Sequence, residues 1–138
     1  MYKLSCVLLV DDDQTTNYLN QKLLKKLCIT EQVLVALNGQ EALDILLTHG
    51  QEATPEHPIL LFLDVNMPLM NGIEFLEDYR QLPLAQEESI IIVMLTTSMH
   101  PQEVQRVQQL RAASLLSKPL TPEKVAHVLE QHIGRNTV

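Results

Sequence analysis

The chain has 138 residues, 46% of them apolar and 20% charged, and carries a formal net charge of −7. That length fits one domain able to bury a core without disulfide or metal staples, and the composition excludes a disordered chain. The acidity disfavours a direct nucleic-acid surface and an anionic membrane surface, because both demand clustered Lys and Arg. The densest basic group, Lys22, Lys25 and Lys26, has the spacing of a solvated helix face.

Cys6 and Cys28 form neither a CxxC pair nor a zinc spacing, which points to reduced thiols in a cytoplasmic protein. The apolar start "LSCVLLV" is too short for a signal peptide or a membrane span and ends in "DDD". No internal repeat or low-complexity segment is present, so residues 1–138 are expected to form a single domain with a core spanning about 5–133. The five histidines, His49, His57, His100, His127 and His132, show no ligand spacing.

Short apolar runs alternate with helical patterns. Ser5–Val10, Gln32–Ala36, Ile59–Leu63, Ile90–Leu95 and Ala113–Leu116 read as strands, continuous in Val, Ile and Leu as strands covered on both faces should be. Gln14–Leu27 reads as a helix capped by Asp13, with Leu19, Leu23 and Leu27 at i+4 spacing. Asn38-Gly-Gln-Glu41 resembles a capping box opening a second helix, which Gly50 can close. Asn71 caps a helix over Gly72–Gln81, Pro101 begins one running to Leu110, and Thr121-Pro122 opens the last, with Val125, Val128, Leu129 and His132 on one stripe. Gly50–Pro58 reads as a surface loop. Five strands alternating with five helices imply an α/β domain with a parallel sheet.

In such sheets, ligands bind beyond the carboxyl ends of the strands. Asp11 and Asp12 follow the first strand, Asp64 ends the third, Thr96 ends the fourth, and Lys118 ends the fifth just before Pro119. Converging carboxylates repel unless a cation offsets them or their pKa values rise. Oxygen ligands without His or Cys suit Mg²⁺. With the charge offset, Asp64 can act as a nucleophile, Lys118 can pair with a phosphoryl oxygen, and Thr96 can hydrogen-bond another. The implied chemistry is phosphoryl transfer onto a carboxylate.

The segments "VLLVDDD", "LLFLDVNMPLMNG", "IIVMLTTS" and "SKPL" stand in order at spacings of 52, 32 and 22 residues from Asp12 to Asp64 to Thr96 to Lys118. In this the chain resembles the receiver domain of two-component response regulators, along nearly its whole length. The resemblance implies a flavodoxin-like doubly wound (βα)5 fold with five parallel strands in the order 2-1-3-4-5. It implies that Asp64 accepts a phosphoryl group from a histidine kinase or histidine phosphotransfer protein, in a Mg²⁺-dependent reaction. Asp11, Asp12, Asp64 and the backbone carbonyl of Asn66 would hold the metal. Thr96 would move toward the phosphorylated site, and Lys118 would contact the phosphoryl group, its bond to Pro119 being typically cis. Pro68 and Gly72 would shape the loop after Asp64, and the side chains of Asn66 and Ser98 would tune access of hydrolytic water. The domain is expected to stand alone, as a monomer or weak homodimer, and to signal by binding an unidentified protein through the fourth helix, fifth strand and fifth helix.

Leu115 occupies the position, three residues before the lysine, where receivers commonly carry Phe or Tyr. The usual glycine before the fifth strand is replaced in "RAASLLSKP", so that Arg111 should need a different turn. An alternative from another class is a Mg²⁺-dependent phosphohydrolase working through an aspartyl phosphate. Such enzymes usually carry a second acid two residues after the nucleophile, where this chain has Asn66. A degenerate receiver used only for docking is the third reading, opposed by the intact set of Asp11, Asp12, Asp64, Thr96 and Lys118.

Overall fold

A computed structural model of the chain describes residues 2–67, 70–82 and 89–133. Its elements run β1 (Cys6–Val10), α1 (Gln14–Lys26), β2 (Val33–Ala36), α2 (Gly39–His49), a 3₁₀ turn (Gly50–Glu52), β3 (Ile59–Asp64), α3 (Gly72–Arg80), β4 (Ile90–Thr96), α4 (Pro101–Gln109), β5 (Ser114–Ser117) and α5 (Pro122–His132). All strand pairings are parallel, in the order β2-β1-β3-β4-β5. The expected doubly wound fold is therefore present, with every strand within one or two residues of its expected bounds.

The strands are apolar along their length because both faces of the sheet are covered. Successive side chains of a strand point to opposite faces. Cys6, Leu8 and Val10 of β1 accordingly join the core built with α2, α3 and α4, where Leu46, Phe75, Leu76 and Val107 are buried. Val7 and Leu9 join the opposite core, with Leu24 of α1 and Val125, Val128 and Leu129 of α5. Full burial of one such Leu side chain contributes about 1.5–3 kcal/mol.

The helix starts follow local chemistry. The Asp13 carboxylate accepts from the Thr15 amide (3.0 Å) and the Thr16 hydroxyl (2.9 Å). Asn38 accepts from the Glu41 amide (2.9 Å), but Glu41 reaches back to the Leu37 amide rather than that of Asn38, so the expected capping box is only half formed. The reciprocal box forms instead at Asn71 and Glu74.

Two further expectations, for Leu19 and Arg111, are corrected. Leu19 does not reach the core: it is 58% exposed and lines an apolar cleft with Leu23, Leu95 and Leu120. The buried positions of α1 are Asn17 and Leu24, seven residues apart and so on one face. Gly50 closes α2 as expected, with a right-handed φ of −63°, and the chain continues into the 3₁₀ turn. Arg111 does not make a different turn. It takes the left-handed conformation itself, at φ 62°, as Cys28 does after α1 at φ 53°.

That conformation brings the Cβ of an L-residue too close to its carbonyl and costs roughly 1–2 kcal/mol. At Arg111 the turn is held from outside. The Arg80 guanidinium, at the end of α3, donates to the Leu110 carbonyl (2.8 Å) and the Arg111 carbonyl (2.7 Å), satisfying acceptors left over at the end of α4. Because those bonds reach backbone atoms, Arg111→Gly keeps them while removing the strain. Urea denaturation of Arg111→Gly should show a stability gain of about 1 kcal/mol with unchanged slope.

The two thiols differ in the same way that their sites do. Burial, and then the charge of Glu52, push the Cys6 thiol up to about 11. Cys28 is exposed. At pH 8 an alkylating reagent followed by mass spectrometry should modify native Cys28 alone, with Cys6 reacting only after denaturation.

Candidate functional site

Parallel strands deliver their carboxyl ends to one edge of the sheet. The register pairs Val10 with Leu63, Asp64 with Leu95 and Thr96 with Ser117, so Asp11, Asp64, Thr96 and Lys118 emerge side by side. Local contacts then set each one. The Asp11 carboxylate accepts from the Asp13 amide (2.9 Å), and its carbonyl accepts from the side-chain amide of Asn17 on α1 (2.8 Å). The Lys118 amide donates to the Thr96 carbonyl (2.8 Å). Gly72 starts α3 against the backbone of Asp64. A Cβ there would lie 2.5 Å from the Asp64 carbonyl oxygen and 2.9 Å from the Val65 Cα, so only glycine permits this approach. Pro68, expected to shape the same loop, lies outside the described residues.

The result is a compact cluster. One carboxylate oxygen each from Asp11, Asp12 and Asp64 lie within 4.8 Å of one another. The Lys118 ammonium stands 2.8 Å from Asp11 Oδ2 and 3.3 Å from Asp64 Oδ1. Asp11 and Asp64 are buried, while Asp12 is exposed. Asp64 Oδ1 also accepts from the Asn66 amide (3.1 Å). Among the described residues no donor meets Asp64 Oδ2, so that oxygen is free to act as a ligand or nucleophile.

One ammonium cannot neutralise three carboxylates. Burial first, and then the charge of Asp11, raise the Asp64 carboxyl above its ordinary value of 3.8, against the opposing pull of Lys118. Burial pulls the Lys118 ammonium down, but its hydrogen bond to Asp11 and the charges of Asp64 and Asp11 outweigh this and leave it raised. With all four groups ionised the cluster carries two uncompensated negative charges, which a divalent cation would cancel. The donors are carboxylate oxygens without His or Cys, a set that fits Mg²⁺.

The other expected residues lie around this cluster. The Thr96 hydroxyl does not touch the carboxylates: it donates to the Ser98 carbonyl (2.8 Å) and accepts from the Ser98 amide (3.1 Å). Asn66 is exposed beside Asp64. The Lys118–Pro119 bond is cis, as the resemblance implied. Leu115 pairs with Met94, and a cleft of about 280 Å³ between α4 and β5 is lined by Leu115, Val104, Val107 and Ala112. Asn17 was not expected at the site. Its signal was available only as an amide seven residues from Leu24, on the buried side of an otherwise polar helix turn.

Comparison with known proteins agrees with this geometry. The family described as "Response regulator receiver domain" matches residues 7–130. A probable chemotaxis protein CheY of Rhizobium etli is 35% identical over 128 residues, 93% of this chain and 92% of the relative. The chemotaxis protein CheY4 of Vibrio cholerae superposes with a TM-score of 0.74 at 30% identity, covering 94% of this chain and 98% of that one. A two-component response regulator from Cytophaga hutchinsonii superposes with a TM-score of 0.80 at 25% identity, covering 94% and 96%.

The crowding of Asp64 has a measurable consequence. A carboxyl raised in the folded state contributes stability below its unfolded pKa and loses it as pH rises through the folded value. Metal-free Asp64→Asn should therefore melt higher than metal-free wild type at neutral pH, and the gap should close below the ordinary carboxylate value of 3.8. Saturating Mg²⁺ should raise the wild-type melting temperature more than that of the variant.

Proposed function

The chain belongs to the response regulator receiver domain family, and on that premise we propose that Asp64 accepts a phosphoryl group from a histidine kinase or histidine phosphotransfer protein. Receivers of this family are signalling domains of two-component and phosphorelay systems, phosphorylated on an aspartate with Mg²⁺. They interact with histidine kinases or phosphotransfer proteins. The observation that carries the assignment to Asp64 is the position of Lys118. Its ammonium sits within reach of both Asp11 and Asp64, inside a cluster of three carboxylates.

In this reading Asp11, Asp12, Asp64 and the backbone carbonyl of Asn66 would hold Mg²⁺, which would offset the negative charge of the phosphoryl oxygens. Asp64 Oδ2 attacks phosphorus, the P–N bond of the donor phosphohistidine breaks, and the electron pair returns to the imidazole nitrogen, which takes a proton. Lys118 then pairs with a phosphoryl oxygen. Thr96 exchanges the Ser98 carbonyl for a phosphoryl oxygen, and this exchange is favourable because charge-assisted hydrogen bonds are roughly twice as strong as neutral ones. The turn at Ser98 follows, shifting the domain between two pre-existing states.

Residues 1–138 act as one receiver domain with a core over about 5–133, a reading supported by the single five-stranded sheet and its two helical layers. The output is phosphorylation-dependent binding of a protein at α4, β5 and α5. With Leu115 in place of an aromatic, the coupling runs through smaller side chains around the α4–β5 cleft. The protein works in the cytoplasm as a phosphoacceptor rather than a turnover enzyme. Its free thiols support that compartment, and no described helix is long and apolar enough to cross a membrane.

Incubation with acetyl phosphate and Mg²⁺ should add one phosphoryl group by intact mass, and chelation of Mg²⁺ or Asp64→Asn should abolish it. Lys118→Met should bind Mg²⁺ but react slower by on the order of 10²-fold, the scale of losing one charge-stabilising donor. Modification that persists in Asp64→Asn would overturn the assignment, and many turnovers of a small phosphate ester per chain would favour the phosphohydrolase.

A further inference from the structure

The first turn of α5 carries a cation where a helix favours an anion. Thr121 caps this helix by accepting from the Lys124 amide (3.2 Å), which puts Lys124 at the third helical position. A capping box would place Glu or Gln there, and the unpaired amides of a helix start repel an ammonium. The preceding residue, Glu123, shows that an acid is available in the same turn. A local preference broken in this way calls for a compensating contact.

The contact is present. Lys124 Nζ donates to the Ser117 carbonyl (2.6 Å), to the Pro119 carbonyl (2.9 Å) and, more loosely, to the Ser117 hydroxyl (3.3 Å). An ammonium has three N–H donors, and here three acceptors meet them. The two carbonyls lie on either side of Lys118. The Lys118 amide is in turn tied to the Thr96 carbonyl (2.8 Å). The Lys118 side chain is thus launched from a backbone segment anchored at three points, and its ammonium arrives between Asp11 and Asp64.

We infer that Lys124 is a positioning residue for phosphoryl transfer, holding the backbone around Lys118 so that the Lys118 ammonium stays registered on the Asp11–Asp64 pair. Lys124 touches neither carboxylate and acts only through Lys118; the inference rests on the reading of Asp64 as phosphoacceptor. Reacting groups misplaced by as little as ~1 Å lose rate by up to about 10²-fold, so a tether of this kind has kinetic weight.

Lys124→Met keeps the length of the stem and removes the donors. Lys124→Arg offers a fork that can still span the two carbonyls. With acetyl phosphate and Mg²⁺, Lys124→Met should be phosphorylated about 10-fold more slowly than wild type, and Lys124→Arg should recover most of the rate. Mg²⁺ affinity should be unchanged in both, since neither alters a carboxylate. Amide hydrogen exchange provides a readout independent of phosphorylation: the Lys118 amide should exchange about 10-fold faster in Lys124→Met, with the amides of β4 unaffected.

Wild-type phosphorylation and exchange rates in Lys124→Met would overturn the inference while leaving the role of Asp64 intact. Equal loss in both variants, or a loss accompanied by weakened Mg²⁺ binding and a lowered melting temperature, would assign Lys124 a general structural role and overturn it as well. If wild type itself takes up no phosphoryl group, the reading of Asp64 fails, and exchange at the Lys118 amide still decides whether Lys124 holds that segment.

Discussion

The Lys118 ammonium lies between two buried carboxylates that it cannot fully neutralise, and the rest of the structure is arranged around that shortfall. Asp11 takes the shorter contact, at 2.8 Å, and Asp64 the longer, at 3.3 Å. Asp12 adds a third negative charge from the exposed side. Such a cluster of charges is repulsive without a further cation, and among the described residues one oxygen of Asp64 meets no protein donor. Burial strengthens both the repulsion and the demand, because charges removed from water are screened less.

The surrounding backbone serves to keep this arrangement from relaxing. Gly72 lets α3 start in contact with the Asp64 and Val65 backbone, which prevents the strand end from drifting. Asn17 holds the Asp11 carbonyl from α1. Thr96 is tied to the Ser98 turn, which leads directly to α4. The far end of α4 is secured to α3 by Arg80, while the half-exposed pair of Arg106 with Glu77 contributes little. A displacement at Ser98 therefore meets α4 at its N-terminal end, with the C-terminal end clamped. Leu115 and the cleft beside it leave space along the same helix.

Most of the architecture was legible in the chain because the relevant signals are local. Continuous Val, Ile and Leu runs marked strands buried on both faces, Asp13, Asn71 and Thr121 marked helix starts whose caps depend only on near neighbours, and Pro101 marked the first turn of α4. At Leu19 and Arg111, where the reading was wrong, distant contacts decided. Leu19 has helical spacing with Leu23, yet the packing of α1 on the sheet turns Asn17 and Leu24 inward instead. Arg111 tolerates a left-handed backbone because Arg80, thirty-one residues earlier, holds the turn's carbonyl.

For the site, the order and spacing of Asp11, Asp12, Asp64, Thr96 and Lys118 along an alternating β/α chain already implied that acids and a lysine meet at one rim, since parallel strands must end on the same side. The parallel α/β sheet followed from the alternation of elements, while the strand order 2-1-3-4-5 came with the resemblance to receivers. Distances between side chains, the state of the Thr96 hydroxyl and the tether from Lys124 did not, because each depends on how helices seat against the sheet. Sequence periodicity records which face of an element is apolar; it carries no information on where a helix end lies relative to a strand end from another part of the chain, and that relation is set only when the two cores close.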